Sequence, residues 1–214
     1  MPRRCLLIPV LLLVTAATAA LSANAVKPPL RQFKGVPVKE NEEDIRMWGE
    51  GDSFEDIFES VTVRGSSALP AREGSYYDAS RAHDYSLQSA WIEGKNGSGI
   101  GEYLEYTLRV TPGQHPSDAA ITGLIVFNGY RKSPEIWRKN NRIRRLRVSV
   151  SGRPYGVVTL ADSYAYQRVK LSDIKLPPHS KTLTLRFTIE SIYPGTTYSD
   201  TALTELEFVG TGIY

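Results

Sequence analysis

Cysteine occurs once in the 214 residues, at Cys5. Arg3 and Arg4 precede an apolar run from Leu6 to Val14, and small residues ending in Ala23-Asn24-Ala25 follow it. This is the pattern of a secretory signal peptide spanning residues 1–25, cleaved after Ala25. Cys5 lies ahead of the apolar run, whereas a lipoprotein acceptor cysteine would follow it. Cleavage therefore removes the only thiol, so the mature chain is expected to form no internal disulfide and its stability must come from a packed core. A cysteine-free exported chain suits a bacterium better than an animal, where extracellular domains lean on disulfides. No later run approaches the ~20 apolar residues that a membrane-spanning helix requires. The expectation is a secreted or periplasmic chain with no transmembrane segment.

Histidine is nearly as scarce: His83, His115 and His179 are scattered without zinc-ligand spacing. There is no GxSxG elbow. Charge of one sign is also lacking, because the net charge of +3 falls to +1 once Arg3 and Arg4 are removed. Its distribution is uneven, however. Nine acidic residues lie between Glu40 and Glu59 against Arg46 alone, and nine basic residues lie between Arg131 and Arg153 against Glu135. Such a basic cluster can serve anionic glycans, membranes or nucleic acid, or be neutralised by the acidic segment and solvent. Export removes nucleic acid as a partner.

Residues 26–58 form an acidic N-terminal extension. Pro28, Pro29, Gly35 and Pro37 mark Val26–Lys39 as an extended linker, and Asn41–Met47 and Phe54–Phe58 have the caps of short helical turns. From Glu59 the pattern becomes β. Ser60–Ser67 is a first strand, and Tyr103–Val110 alternates with period two, placing Leu104, Tyr106, Leu108 and Val110 on one face. Ala119–Phe127 is apolar enough for a strand buried on both faces. Arg145–Val150, Val157–Leu160, Arg168–Leu171, the alternating Leu183, Leu185, Phe187 and Ile189, and finally Thr204, Leu206 and Phe208 continue the series. Some eight strands with turn signals and hardly a helix predict an all-β sandwich or jelly roll over residues 59–212. Function is then expected in loops: Ser75–Glu102, Asn128–Asn141 and Ser191–Thr201.

The sequence WIEGKNGSGIGE, Trp91 to Glu102, puts an aromatic, two carboxylates and four glycines ahead of the clearest strand. Gly94, Gly97, Gly99 and Gly101 imply a tight corner. Glu93 and Glu102 can be read as an acid and base for glycoside hydrolysis or as carboxylates that accept backbone N–H bonds and hold the loop. GKNGSGIG superficially resembles a phosphate loop but leads into a strand, which removes the helix N-terminus such a site uses. Asn96-Gly97-Ser98 is a glycosylation sequon that matters only in a eukaryotic secretory pathway. Sugar recognition asks for flat aromatic surface beside amides and carboxylates. Tyr130, Arg131, Trp137, Asn140, Asn141 and Arg142 supply that mixture in one loop, and Tyr193, Tyr198 and Asp200 in another. Trp137 is the expected exposed platform and Trp91 a packing residue of the corner. Tyr130 and Tyr193 fit binding and loop packing equally.

The ordered motifs WIEG…GIGE, FNGY (Phe127–Tyr130), NNRIRRL (Asn140–Leu146) and YPGTTYSDTALTEL (Tyr193–Leu206) closely resemble the NADase-type glycan-binding domain. That is a discoidin-like, galactose-binding-like jelly roll first associated with a streptococcal NAD glycohydrolase that uses it during toxin translocation. The resemblance covers about Glu59 to Gly210, with Trp91, Glu93, Gly99, Gly101 and Glu102 as its structural signature. It implies a carbohydrate-binding β-sandwich without NADase activity, since no glycohydrolase domain is present. Related sandwiches often hold a structural calcium, for which Asp78, Asp84 and Glu205 are the oxygen donors here; no other cofactor is implied. The expected function is an exported, non-catalytic glycan-binding module, with anionic polysaccharide among its ligands. A cell-envelope protein-interaction or assembly module on the same fold is the alternative, and a glycan-active enzyme using Glu93 and Glu102 the third reading.

Overall fold

Alternation over Tyr103–Val110 produces the strand it predicts, with Leu104, Tyr106, Leu108 and Val110 buried and Arg109 in solvent. The computed structural model describes residues 29–39, 58–72, 74–112, 120–176 and 180–211. The strands are β1 (Arg31–Pro37), β2 (Phe58–Gly65), β3 (Trp91–Ile92), β4 (Tyr103–Val110), β5 (Ala120–Asn128), β6 (Asn141–Val150), β7 (Arg153–Thr159), β8 (Gln167–Lys175), β9 (Thr182–Tyr193) and β10 (Thr201–Thr211). Among the described residues, one short helix, α1 (Pro134–Lys139), and a 3-10 turn at Ala79–Ala82 interrupt them.

The pairing order is β2-β4-β9-β6-β7-β1-β8-β5-β10-β3, and a further parallel pairing joins Thr201 and Ala202 of β10 to Asn141 and Arg142 of β6. That last contact closes β6, β7, β1, β8, β5 and β10 into a ring, and β2 and β3 remain as the edge strands of the pairing order. The result is a jelly-roll β-sandwich, as the strand count predicts. One layer contributes Leu104, Tyr106, Leu146, Val148, Leu185 and Phe187 to the core, and the other contributes Leu124, Val126, Val169, Leu206 and Phe208. Tyr106 spans the two: its ring meets Phe187 edge-on at 5.7 Å and Phe208 at 5.3 Å, and its hydroxyl donates to the carbonyl of Ala82. An aromatic pair of this geometry contributes about 0.5–1.5 kcal/mol beyond its buried area.

One expectation needs amendment. The segment read as a linker contains β1, whose Arg31–Lys34 pair in parallel with β7 and whose Gly35–Pro37 pair antiparallel with β8. Its proline and glycine content disguised it, because backbone pairing asks little of side chains. Among the described residues, the basic stretch meets acids of its own neighbourhood; most of the acidic segment lies outside them. Glu190 of β9 pairs with Arg145 at 3.4 Å and Arg147 at 2.6 Å, Asp162 with Arg142, and Glu135 with Lys139. The turns expected at Asn41–Met47 and Phe54–Ile57 lie outside the described residues; Phe58 begins β2.

Candidate functional site

The loops after β2, β5, β7 and β9 emerge at one end of the sandwich and join the corner that leads into β4. Asn128, the last residue of β5, anchors the first: its Oδ1 accepts from the amide of Ile143 at 2.9 Å and its Nδ2 donates to the Ile143 carbonyl at 2.7 Å. Ser133 then caps α1 by accepting from the amide of Ile136, with Pro134 in the first turn, where its missing N–H costs nothing. Trp137 on that helix donates its indole N–H to the Asn128 carbonyl at 2.8 Å.

Arg142 is the hub of this end. Its Nε and Nη2 bind Asp162 at 3.0 and 2.9 Å, its Nη1 donates to the carbonyls of Asn140 and Pro194, and its guanidinium lies 4.6 Å from the Trp137 ring centre. The loops 129–140, 160–166 and 194–200 are thereby tied through one buried side chain. Asn141 adds a second tie, accepting from the amide of Gly195 at 2.7 Å and donating to the carbonyl of Ser199. Arg131 lies 4.5 Å from the Tyr164 ring and 4.9 Å from the Phe127 ring. Tyr130 donates to the Gln88 carbonyl and Tyr193 to that of Leu160.

Among the nine side chains expected to touch ligand, Tyr130, Arg131, Asn140, Asn141 and Arg142 are thus buried, while Trp137, Tyr193 and Asp200 are half-buried. Trp137 is not the exposed platform expected. Arg142 covers one face of its ring, Tyr164 meets it edge-on at 5.8 Å, and its N–H is spent on backbone. Tyr198 is the exposed one, at 50%. The amides of Thr196, Thr197 and Tyr198 donate to the carbonyls of Arg138 and Lys139 at the end of α1, which sets this loop firmly against the helix. Sequence reasoning missed Asp162 and Tyr164. Their segment Ala161–Tyr166 lies between two predicted strands and carries the same aromatic and carboxylate mixture, a signal that was available.

In the corner before β4, the Glu93 carboxylate is fully buried; it accepts from the amides of Thr201 at 3.1 Å and Lys95 at 2.9 Å. Burial pushes its pKa up, and the two amides oppose that shift. Gly99, at φ +66°, leaves the room this carboxylate uses, since a Cβ there would sit 2.5 Å from Glu93 Cδ. Gly101 also takes a positive φ. Glu102 accepts from the hydroxyls of Ser66 and Ser67 at 2.5 and 2.6 Å. Although burial works against it, these hydroxyls and Lys95 hold its pKa below the usual carboxylate range. Trp91 is buried and donates to the Ser67 carbonyl at 2.9 Å. Both carboxylates are consumed in holding the corner.

The three oxygen donors considered for calcium do not make a common site. Asp78 is exposed, accepts from Ser80 and lies 3.4 Å from Arg81. Asp84 is engaged by Ser86, Ser89 and, at 3.3 Å, by the same Arg81. A guanidinium therefore already stands between the two aspartates. Glu205 accepts from the amide of Ser86 at 2.9 Å, and its Oε2 is buried without a hydrogen-bond partner among the described residues. No group of three or more His, Asp or Glu side chains among the described residues is arranged to hold a metal. Burial, together with the neighbouring Glu207 and Asp84, instead pushes the Glu205 pKa up to about 11. Glu207, unforeseen from the sequence, lies 2.8 Å from His83 Nδ1.

With this geometry in view, the sequence matches the NAD glycohydrolase translocation F5/8 type C domain over residues 56–209. The chain belongs to this family. Similar solved structures include CpGH89CBM32-5 from Clostridium perfringens, in complex with GalNAc-beta-1,3-galactose. It is 17% identical with a TM-score of 0.45, the similarity covering 69% of this chain and 94% of that one. Another belongs to the Streptococcus pneumoniae beta-galactosidase BgaA, 9% identical with a TM-score of 0.42, covering 70% and 96%. A third, the mycobacterial arabinofuranosyltransferase AftD, is 17% identical with a TM-score of 0.43, covering 70% of this chain and 11% of that one. No curated protein matches. The match to the F5/8 type C family excludes β1 and takes in β2 through most of β10.

Proposed function

We propose that this F5/8 type C domain is an exported, non-catalytic carbohydrate-binding module that meets its ligand at the loop end, with Tyr198 as the aromatic surface. The observation that carries this reading is an exposed ring on a loop whose backbone is already fixed against α1. Prior fixation lowers the ordering cost of binding. Thr196, Thr197 and Ser199 on the same loop, and Lys139, whose carbonyl accepts from the Tyr198 amide, offer groups that can meet sugar hydroxyls. Exposed Arg138, whose carbonyl accepts from the Thr196 amide, favours an acidic polysaccharide. Arg131, Trp137, Asn140, Asn141 and Arg142 act by positioning these loops. The internal use of Glu93 and Glu102 supports the absence of catalysis, and the use of Asp78 and Asp84 by Arg81 supports a module that needs no calcium.

The test is a glycan array with the secreted protein, neutral and uronic-acid sugars included, repeated with Tyr198→Ala. Binding that disappears in the variant while its unfolding curve stays in place supports the reading. Absence of binding to every sugar, with one stoichiometric protein recovered from the cell envelope, would replace it by the assembly-module alternative. Amino-terminal sequencing of the secreted protein checks cleavage after Ala25.

A further inference from the structure

β1 stands apart from every other strand. The family match starts at residue 56, so this strand lies outside it, and the twenty residues 38–57 separate it from β2. It nevertheless supplies the contact between β7 and β8, which meet through it in the pairing order. Arg31, Gln32, Phe33 and Lys34 run alongside Gly156–Thr159, and Gly35, Val36 and Pro37 then run alongside Val169, Arg168 and Gln167. The strand crosses from one layer to the other at Gly35.

Its side chains contribute little burial, since Phe33 and Gly35 are the only residues of the seven that are not exposed. Two features define the slot that receives it. Phe33 stacks on Tyr155 with ring centres 5.5 Å apart and planes within 14°, while Arg31 lies 5.0 Å from the same ring. Gly35 is pressed so close that a Cβ would lie 2.6 Å from Gln167 Oε1 and 2.9 Å from Leu160 Cδ2. Beyond it, the amide of Val38 donates to the Tyr166 carbonyl at 2.9 Å. The slot thus reads an aromatic, one spacer and a glycine, and takes the rest through backbone hydrogen bonds. Without β1, β7 and β8 would each present an unpaired edge, the template to which another extended segment adds.

We propose that the β7–β8 slot is a strand-acceptor site whose partner is Arg31–Pro37 of a second copy of this chain, so that two copies exchange β1. The connection permits it: residues 38–57, fully extended, reach at most about 70 Å. The contacts in the exchanged pair are the same as those within one chain, so exchange is decided by effective concentration. A tether of twenty residues gives an effective concentration on the order of millimolar. Single chains prevail at micromolar concentration, and exchanged pairs become comparable in number near millimolar. An exchanged pair carries two copies of the loop end. This inference does not depend on the ligand proposed above.

The lack of thiols in the mature chain makes a clean test available. Val36 and Arg168 face each other as Cα partners of the antiparallel β1–β8 ladder, a separation of about 4.5–5.5 Å that suits a disulfide. In the Cys5→Ser background, chains carrying Val36→Cys and chains carrying Arg168→Cys are mixed near millimolar concentration and oxidised mildly. Exchange is read as the mixed disulfide between positions 36 and 168, identified by peptide mapping and separate from the same-site disulfides each variant forms alone, that falls about tenfold with tenfold dilution and disappears when Gly35→Val is added to the Val36→Cys chain. The double variant must close within one chain at low concentration, which reports that β1 occupies its slot. A double variant that closes while the mixture yields no such mixed disulfide would overturn the proposal, and so would a double variant that fails to close.

Discussion

The guanidinium of Arg142 is stacked 4.6 Å from the Trp137 ring centre while it grips the Asp162 carboxylate through two nitrogens. A tryptophan that looks like a sugar platform in the sequence is thereby one wall of a structural joint. Arg142→Lys keeps the charge but loses the planar fork. We expect a loss of about 2–3 kcal/mol in urea unfolding, moderated because Asp162 is partly exposed. Glycan binding should weaken in step with that loss, and low temperature should recover much of it.

Tyr198→Ala should behave oppositely. An exposed side chain outside the core is expected to change stability by no more than about 0.5 kcal/mol. Its removal should lower affinity for the bound glycan at least tenfold by isothermal titration, about 1.4 kcal/mol, and Tyr198→Phe should retain most of the binding. A Tyr198→Ala variant with unchanged affinity on the best array ligand would place the sugar elsewhere.

Glu93→Gln tests whether the corner is chemistry or architecture. The carboxylate accepts from two backbone amides, and an amide side chain would aim an N–H at one of them. The expected result is a destabilisation of about 1–3 kcal/mol and a shared loss of binding and thermal stability. Glycan hydrolysis by the native chain that Glu93→Gln abolishes without altering the melting temperature would show a catalytic role.

Glu205 gives a pH signature. Its pKa is raised to about 11 in the fold from an ordinary value of 4.5, so between these values the folded chain holds a proton that the unfolded chain lacks. The stability associated with that proton is fully present below pH 4.5 and is lost as pH rises toward 11, at no more than about 1.4 kcal/mol per pH unit. Glu205→Gln, neutral throughout, should flatten the slope of stability between pH 6 and 9 and raise the melting temperature at pH 8. Unchanged slopes would mean that the buried carboxyl is ionised in the fold. Millimolar calcium and EDTA should give the native chain the same melting temperature at pH 7, because Arg81 stands between Asp78 and Asp84.

The sequence was most informative where burial imposes a period. Tyr103–Val110 has the bounds its alternation gives, and Leu183, Leu185, Phe187 and Ile189 all face the core. It was least informative where geometry comes from backbone contacts or from residues distant in the chain. β1 carries two residues, Gly35 and Pro37, that ordinarily punctuate loops, and its pairing partners lie more than 120 residues away. Aromatic and amide content marked loops that the fold brings together at one end, but composition does not show which way a ring faces. Trp137 is turned inward by Arg142, five residues later, and by Asn128, nine residues earlier, whereas Tyr198 stays half exposed.

The loop carrying Tyr198 is fastened mainly through its own amides, three of which bond to carbonyls of Arg138 and Lys139. Its shape is therefore largely indifferent to the side chains at Thr196, Thr197, Tyr198 and Ser199. Such a segment can diverge between relatives, or be randomised in a display library, without loss of the fold, so that one scaffold can be retargeted from one ligand to another by rewriting four consecutive codons.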